Sequence, residues 1–405
     1  MTSRNWPNEF VRACATISLL LGWPLAAQAA QTQPPAAQSK TPAIALLDAD
    51  DAVQWRVWTR EPGWQVIAPP GTGAPDIDSR VRALAGAVES AIQSGSVDPA
   101  RVYIAGRGDA VASVFYAVSR MPDLWAAGVA VGGSPKAAID SNRIFAANST
   151  LVPLLWIAGD DSRPMVEKLT AAKLNLEWQS ASGSFNAAAL IQWLARHQRD
   201  AFPISIDCET NSPTFARCYW IQPAKFDASE RNDVLPSTRI PGGTGAALDL
   251  GGFGFQVDDP GPGVLVTSLP GKYSGPLKNG DRLMALDGKP LASARQYLEL
   301  MEKFTEEKPA TVTVQRGKER IRVETRITLP RRESGVTARV QAQYLPAEKE
   351  IQIVSRTITE MRVTVAPHWI PATLLWNGLS LENLEEAGCW LLSVQKELLH
   401  AEKCK

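Results

Sequence analysis

The chain has 405 residues, 45% of them hydrophobic and 21% charged, values of an ordinary globular protein with room for two or three domains. Lys+Arg and Asp+Glu are both 42, so no charge excess points to nucleic acid or to an anionic surface, and a bulk polyanion is excluded as the expected partner.

The first segment in chain order reads as a targeting signal. Arg4 and Arg12 precede an apolar run over 13–25, and Ala27-Gln28-Ala29 forms an A-x-A cleavage site, so residues 1–29 are expected to be removed on export. The run is shorter than the ~20 apolar residues that span a bilayer, so no transmembrane anchor is expected after cleavage. The expected location is periplasmic or extracellular. Residues 30–41 form a polar, proline-bearing linker.

Over 42–203, short apolar runs alternate with amphipathic stretches. "AIALLD", "WQVIAPP", "RVYIAG", "AAGVAVGG", "VPLLWIAGD" and "LNLEWQS" read as strands. "IDSRVRALAGAVESAIQSG", "AVASVFYAVSRM" and "FNAAALIQWLARHQ" carry apolar residues at i, i+3, i+4 and i+7 and read as helices. Strand–helix alternation predicts a mostly parallel sheet covered on both faces, with any chemistry at the carboxyl ends of its strands. From 204 the texture changes to period-two strands: "ISIDCET", "ARCYWIQ", "ARVQAQYL", "KEIQIVS" and "MRVTVAP". Residues 204–243 and 331–405 are expected to form a small β domain ending in a helix over 388–402, interrupted by a separate module at 244–330. The fold class is thus α/β plus β.

Removal of Cys14 with the signal leaves Cys208, Cys218, Cys389 and Cys404. Four cysteines in an exported chain allow three disulfide pairings, and sequence proximity favours Cys208–Cys218 and Cys389–Cys404. No C-x-x-C occurs and His197, His368 and His400 are far apart, which argues against zinc. No cofactor is expected.

The stretch "VDPARVYIAGRGDAVASVFYAVSRMPDLWAAGVAVGGSP" resembles secreted α/β-hydrolases of the polyhydroxybutyrate depolymerase and feruloyl esterase type. That resemblance implies a nucleophilic serine on a G-x-S-x-G elbow. Here the five positions are Gly106-Arg107-Gly108-Asp109-Ala110, and Gly108 stands at the nucleophile station. The oxyanion loop, H-G-G-G in the family, reads Asp48-Ala49-Asp50-Asp51. Carboxylates there oppose a developing oxyanion, for which each good donor contributes about 3–4 kcal/mol. No histidine lies between "LNLEWQ" and the last helix of this region, and only the acid station, Asp160 or Asp161, is filled. The resemblance therefore implies a pseudoenzyme. The alternative is a serine esterase with relocated residues, Ser113 or Ser134 serving as nucleophile beside a base. Asp48, Asp50 and Asp109, with Asp51, Asp160 and Asp161, map to strand ends and are weaker candidates for a Ca²⁺ cluster.

The segment "LDLGGFGFQVDDPGPGVLVTSLPGKYSGPLKNGDRLMALDGKPLASARQYLELMEKF" resembles a PDZ domain. Gly252-Phe253-Gly254-Phe255 matches the loop that holds a peptide's terminal carboxylate through converging backbone N–H groups. The resemblance implies that Phe255 and Val257 lie on the strand an incoming peptide pairs with, and that Ala294, Leu298 and Met301 line the helix side of the groove. Partner and function follow as expectations: an exported, non-catalytic hydrolase-like protein that binds peptide or protein C-termini. Among the 13 tryptophans, Trp55, Trp58 and Trp64 sit close to the altered oxyanion loop and are expected to pack on the first helix.

Overall fold

The computed structural model describes residues 40–68, 76–181, 186–230, 234–243, 245–329, 336–395 and 398–404. The expected signal and most of the linker lie outside them. No helix among the described residues is long and apolar enough to cross a membrane.

The first part alternates as the sequence predicts: β1 (Thr41–Leu46), α1 (Ala52–Trp58), β2 (Gln65–Ile67), α2 (Ile77–Gln93), β3 (Val97–Arg107), α3 (Val111–Arg120), β4 (Ala127–Val131), α4 (Lys136–Asp140), β5 (Leu154–Ala158), α5 (Arg163–Ala171), β6 (Leu176–Ser180) and α6 (Ala187–Ala195). All six strands pair in parallel, in the order β2-β1-β3-β4-β5-β6. Successive residues of β1 face opposite ways. Ala43 and Ala45 pack with α2, α3 and α4, whereas Ile44 and Leu46 pack with α1 and α6. Coverage on both faces explains why these strands read as unbroken apolar runs. The Asp76 side chain caps α2 by accepting from Ser79 N at 2.8 Å, and Asn186 caps α6 by accepting from Ala189 N at 3.0 Å. Helices α1, α4 and α5 were not among the expected ones; α1 and α4, at seven and five residues, carry too few turns to show a period.

After β7 (Ser205–Thr210) and β8 (Ile221–Phe226) the chain enters an intervening segment with its own core: β9 (Ala247–Leu248), β10 (Val264–Leu265), β11 (Arg282–Leu286), β12 (Lys289–Pro290), α7 (Ala294–Met301), β13 (Lys308–Arg316) and β14 (Glu319–Thr328). Its sheet runs β10-β11-β13-β14-β9, with β12 on β11, and α7 closes one face over Leu248, Val264, Leu283, Val312 and Ile327. Asp281 pins this segment. Its carboxylate is almost fully buried and accepts from Arg316 Nε at 2.8 Å, Arg316 Nη2 at 2.7 Å and Lys278 N at 2.7 Å. The Arg316 hydrogen bonds hold the Asp281 carboxyl below the usual carboxylate range. A depressed folded-state pKa contributes stability above the unfolded pKa and loses it as pH falls through the lower folded value. Stability is therefore expected to fall below about pH 4, and Asp281→Asn to be less stable at neutral pH but with a flatter acid limb, read from denaturation midpoints across pH 2–7.

The chain then returns with β15 (Ala338–Leu345), β16 (Glu350–Arg356), β17 (Ile358–Val365), β18 (Ala372–Trp376), β19 (Leu379–Leu384), β20 (Gly388–Gln395) and β21 (Leu398–Lys403). Two sheets result, β19-β18-β16-β15-β7 and β21-β20-β17-β8. They share a core of Trp220, Trp369, Trp376, Met361 and Ile351, in which the Trp369 ring stacks on Tyr344 with centroids 4.7 Å apart. Because β7 pairs with β15 and β8 with β17, the segment between them is an insertion into this two-sheet layer.

Two expectations need correction. In place of the helix expected over 388–402, Gly388–Gln395 and Leu398–Lys403 pair as the antiparallel strands β20 and β21. Cys389 and Cys404 pair with Cα atoms 5.4 Å apart, whereas 15 residues of helix would separate them by about 22 Å. "ARCYWIQ" is not one strand either. Cys218 and Ile221 exchange backbone hydrogen bonds around a tight turn at Tyr219-Trp220, and β8 begins only at Ile221. Cys208 and Cys218 form the other expected pair.

Candidate functional site

The Gly106–Ala110 turn lies at the carboxyl end of β3, near the middle of the parallel sheet. The strand ends at Arg107, Gly108–Ala110 make one tight turn, and α3 starts at Val111. Three glycines fit this geometry for different reasons. A Cβ on Gly106 would lie 2.9 Å from Val114 Cγ2 and 3.0 Å from the Ala110 Cβ, so strand and helix approach too closely for a side chain. Gly108 has φ +53°, a conformation that costs other L-residues energy. A Cβ on Gly133, in the turn after β4, would lie 2.0 Å from the Gly108 carbonyl oxygen. The turn is thus a sharp strand-to-helix bend of the kind that presents a nucleophile, yet a Cβ on Gly108 itself would meet nothing within 4 Å. The position is open and chemically empty.

Asp48 Oδ1 accepts from the Asp50 backbone N–H at 2.9 Å, and Asp51 pairs with Arg107 Nη1 at 3.3 Å. Burial, together with the neighbouring Asp48 and Asp50 charges, pushes the Asp51 carboxyl up against the pull of Arg107. Asp109 and Asp161 are exposed, and Asp160 pairs with Arg163 Nη2 at 3.1 Å and accepts from Ser180 Oγ. Among the described residues no three acids, cysteines or histidines are gathered closely enough to hold a metal ion, and Asp48, Asp50 and Asp109 are not brought together that way.

Neither candidate serine meets a base among the described residues. Ser113 is 1% exposed inside α3, and its Oγ has no hydrogen-bond partner among the described residues. Ser134 Oγ accepts from the Lys136 backbone N–H at 3.2 Å, an ordinary turn contact. His197 is held at the end of α6, its Nδ1 2.9 Å from the Trp193 carbonyl, and burial pushes its pKa down. Trp55 and Trp58 lie on α1 with ring centroids 5.0 Å apart, and Trp64 stacks on Tyr103 at 4.9 Å; all three pack on the α1/α6 face of the sheet and not on α2, the first helix expected from the sequence.

The second candidate site is in the inserted segment. Gly252 has φ +77°, and Gly254 pairs with Ser268 in a single bridge, donating from its N–H to Ser268 O at 2.8 Å. A Cβ on Gly254 would sit 2.2 Å from Ser268 Oγ. Phe253 and Phe255 lie 5.7 Å apart, and Phe255 meets Tyr297 of α7 edge-on at 5.8 Å. Tyr297 was not among the expected residues, although its i+3 spacing from Ala294 marks it as the inward stripe of the helix. Ala294 and Met301 are buried in the core of the insert, and it is Leu298, 37% exposed, that faces outward from α7. Phe255 falls in irregular chain and Val257 in a turn, not on a strand; Val257 is exposed, and Arg295 Nη2 meets Asp258 Oδ1 beside it at 3.2 Å.

No family model matches the chain, and no curated protein matches it. Among solved structures, it is similar to an S-formylglutathione hydrolase (FrmB) from Staphylococcus aureus at 13% identity, over 39% of this chain and 79% of that one, with a TM-score of 0.29. A thermostable esterase is similar at 16% identity over 41% and 57%, TM-score 0.31, and esterase PE8 at 18% over 40% and 94%, TM-score 0.29.

Proposed function

We propose that the parallel-sheet part is an α/β-hydrolase body retired from catalysis, and that this exported protein works by binding peptide or protein C-termini on a PDZ-like insert. The observation that carries the first half is Gly108: the strand-to-helix bend is kept, with Gly106 and Gly133 packed around it, while its tip offers no atom to attack a carbonyl. The strand order, with the bend on the inner strand β3, supports the same reading. Two disulfide pairs fit an oxidising compartment. For the second half, the positive-φ glycines at 251 and 252, the aromatic bed of Phe253, Phe255 and Tyr297, and exposed Val257 and Leu298 supply a carboxylate nest beside an apolar strip.

The test runs both halves on the mature chain. Short-chain aryl esters and a serine-reactive phosphonate are expected to give neither turnover nor labelling. A library of fluorescent peptides with free C-termini is expected to yield binders whose affinity falls at least about tenfold in Gly254→Pro, which removes the N–H bonded to Ser268. Labelling lost in Ser113→Ala or Ser134→Ala overturns the first half. Absence of binders, or equal binding by Gly254→Pro, overturns the second.

A further inference from the structure

At the opposite pole of the parallel sheet from Gly108, a cleft of about 420 Å³ opens between the start of β3, the loop before β4, the chain leaving α6, the Tyr219-Trp220 turn and β17. Its volume is in the range of small-molecule sites. Four charged side chains line it, and they sum to zero. Arg217 Nε meets Asp123 Oδ2 at 2.5 Å and its Nη2 meets Glu89 Oε1 at 3.0 Å, so these three are already satisfied as ion pairs. Arg199 is tethered by one atom only, Nε donating to the Pro99 carbonyl at 3.1 Å. Among the described residues its two Nη atoms have no hydrogen-bond partner, and neither have the hydroxyls of Tyr219 and Thr364.

Tyr219 adds an independent sign. It occupies a two-residue turn with φ +54°, where asparagine or glycine is the favoured residue. Its half-buried phenol lines the cleft, as Phe202 does. Donors, acceptors and aromatic edges thus share a cleft with no net charge. A free anion here would be set against Asp123 and Glu89, and a free cation against Arg199 and Arg217. A neutral ligand rich in hydroxyls suits it, because each hydroxyl both donates and accepts, and the C–H face of a ring can lie on Phe202 and Tyr219.

We infer that this cleft is a carbohydrate site, with Arg199, Tyr219 and Thr364 as the groups that hydrogen-bond the sugar. It is separate from the elbow and from the groove of the insert. Calorimetry and saturation-transfer NMR on the full mature chain test it with D-glucose, D-galactose and N-acetyl-D-glucosamine, using acetate and methylammonium as ionic probes. At least one sugar is expected to bind saturably, with affinity reduced at least about fivefold, the loss of one hydrogen bond, in both Tyr219→Phe and Arg199→Gln. Tyr219→Phe keeps the ring and its packing, and thermal unfolding of each variant separates a lost contact from a lost fold. The inference is overturned if none of the three sugars saturates, if folded Tyr219→Phe and Arg199→Gln bind as the parent does, or if acetate or methylammonium displaces the sugar at equal concentration.

Discussion

Replacing Glu209 by alanine is expected to lower the stability of the protein by about 3–5 kcal/mol, read as a drop in the urea midpoint with an unchanged slope. Glu209 sits on β7 with its side chain fully buried. Its carboxylate accepts from Ser237 Oγ at 2.5 Å, Thr238 N at 2.6 Å, Thr238 Oγ1 at 2.8 Å and Thr337 Oγ1, and it faces Arg356 Nη2 at 3.4 Å. Its backbone is tied as well, since Glu209 N donates to Asn148 Oδ1 at 2.6 Å and Asn148 Nδ2 reaches both Glu209 O and Ser119 O. One residue therefore joins the parallel-sheet part, the chain entering the insert and the chain leaving it. Alanine would strand a buried guanidinium and several hydroxyls, and an unpaired buried charge costs more than the pair contributes. Glu209→Gln keeps the acceptor and is expected to lose less than half as much. A loss under 1 kcal/mol for the alanine variant would refute this account.

The second large effect is expected from Gly133→Ala. The new Cβ would lie 2.0 Å from the Gly108 carbonyl oxygen, a backbone atom that cannot swing aside, and the residue has φ +53°. Overpacking at about 1–3 kcal/mol adds to a left-handed conformation at about 1–2 kcal/mol, so a loss of roughly 2–5 kcal/mol is expected. Gly108→Ala is the internal control. Its φ is also +53°, but its Cβ meets nothing within 4 Å, so only the conformational cost of about 1–2 kcal/mol applies. Chemical denaturation of the two variants side by side reads the difference, and equal losses would mean that the close approach of the two turns carries no energy.

The parallel strands were legible because strands covered on both faces show as plain apolar runs. The strand-to-helix turn at 106–110 was legible because its glycine spacing is itself the geometry. The C-terminal hairpin was not, since "GCWLLSVQKELLHAEK" satisfies a helical period locally and only the pairing of β20 with β17 makes it a strand. Yet the expected Cys389–Cys404 pair and a helix joining the same two residues were incompatible on distance alone. On α7 the motif located the helix but not its rotation: Ala294, Tyr297 and Met301 turn inward, and only the packed structure separates them from Leu298. The Tyr219 turn was hidden because a lone tyrosine with positive φ leaves no mark in composition or period.

Glu209 on β7 and Thr337, next to β15, are 128 positions apart in the chain, yet the two strands are neighbours in one sheet. Their pairing therefore has a high contact order, and the two-sheet layer is expected to close late in folding. An insert that has already folded draws residues 245 and 329 together through the pairing of β9 with β14 and so shortens the loop to be closed. Order of events then matters for the yield of folded chains. If the insert is slow, β7 and β15 wait as open strand edges, and such edges recruit other chains. A destabilised insert would thus announce itself first as aggregation through the flanking strands.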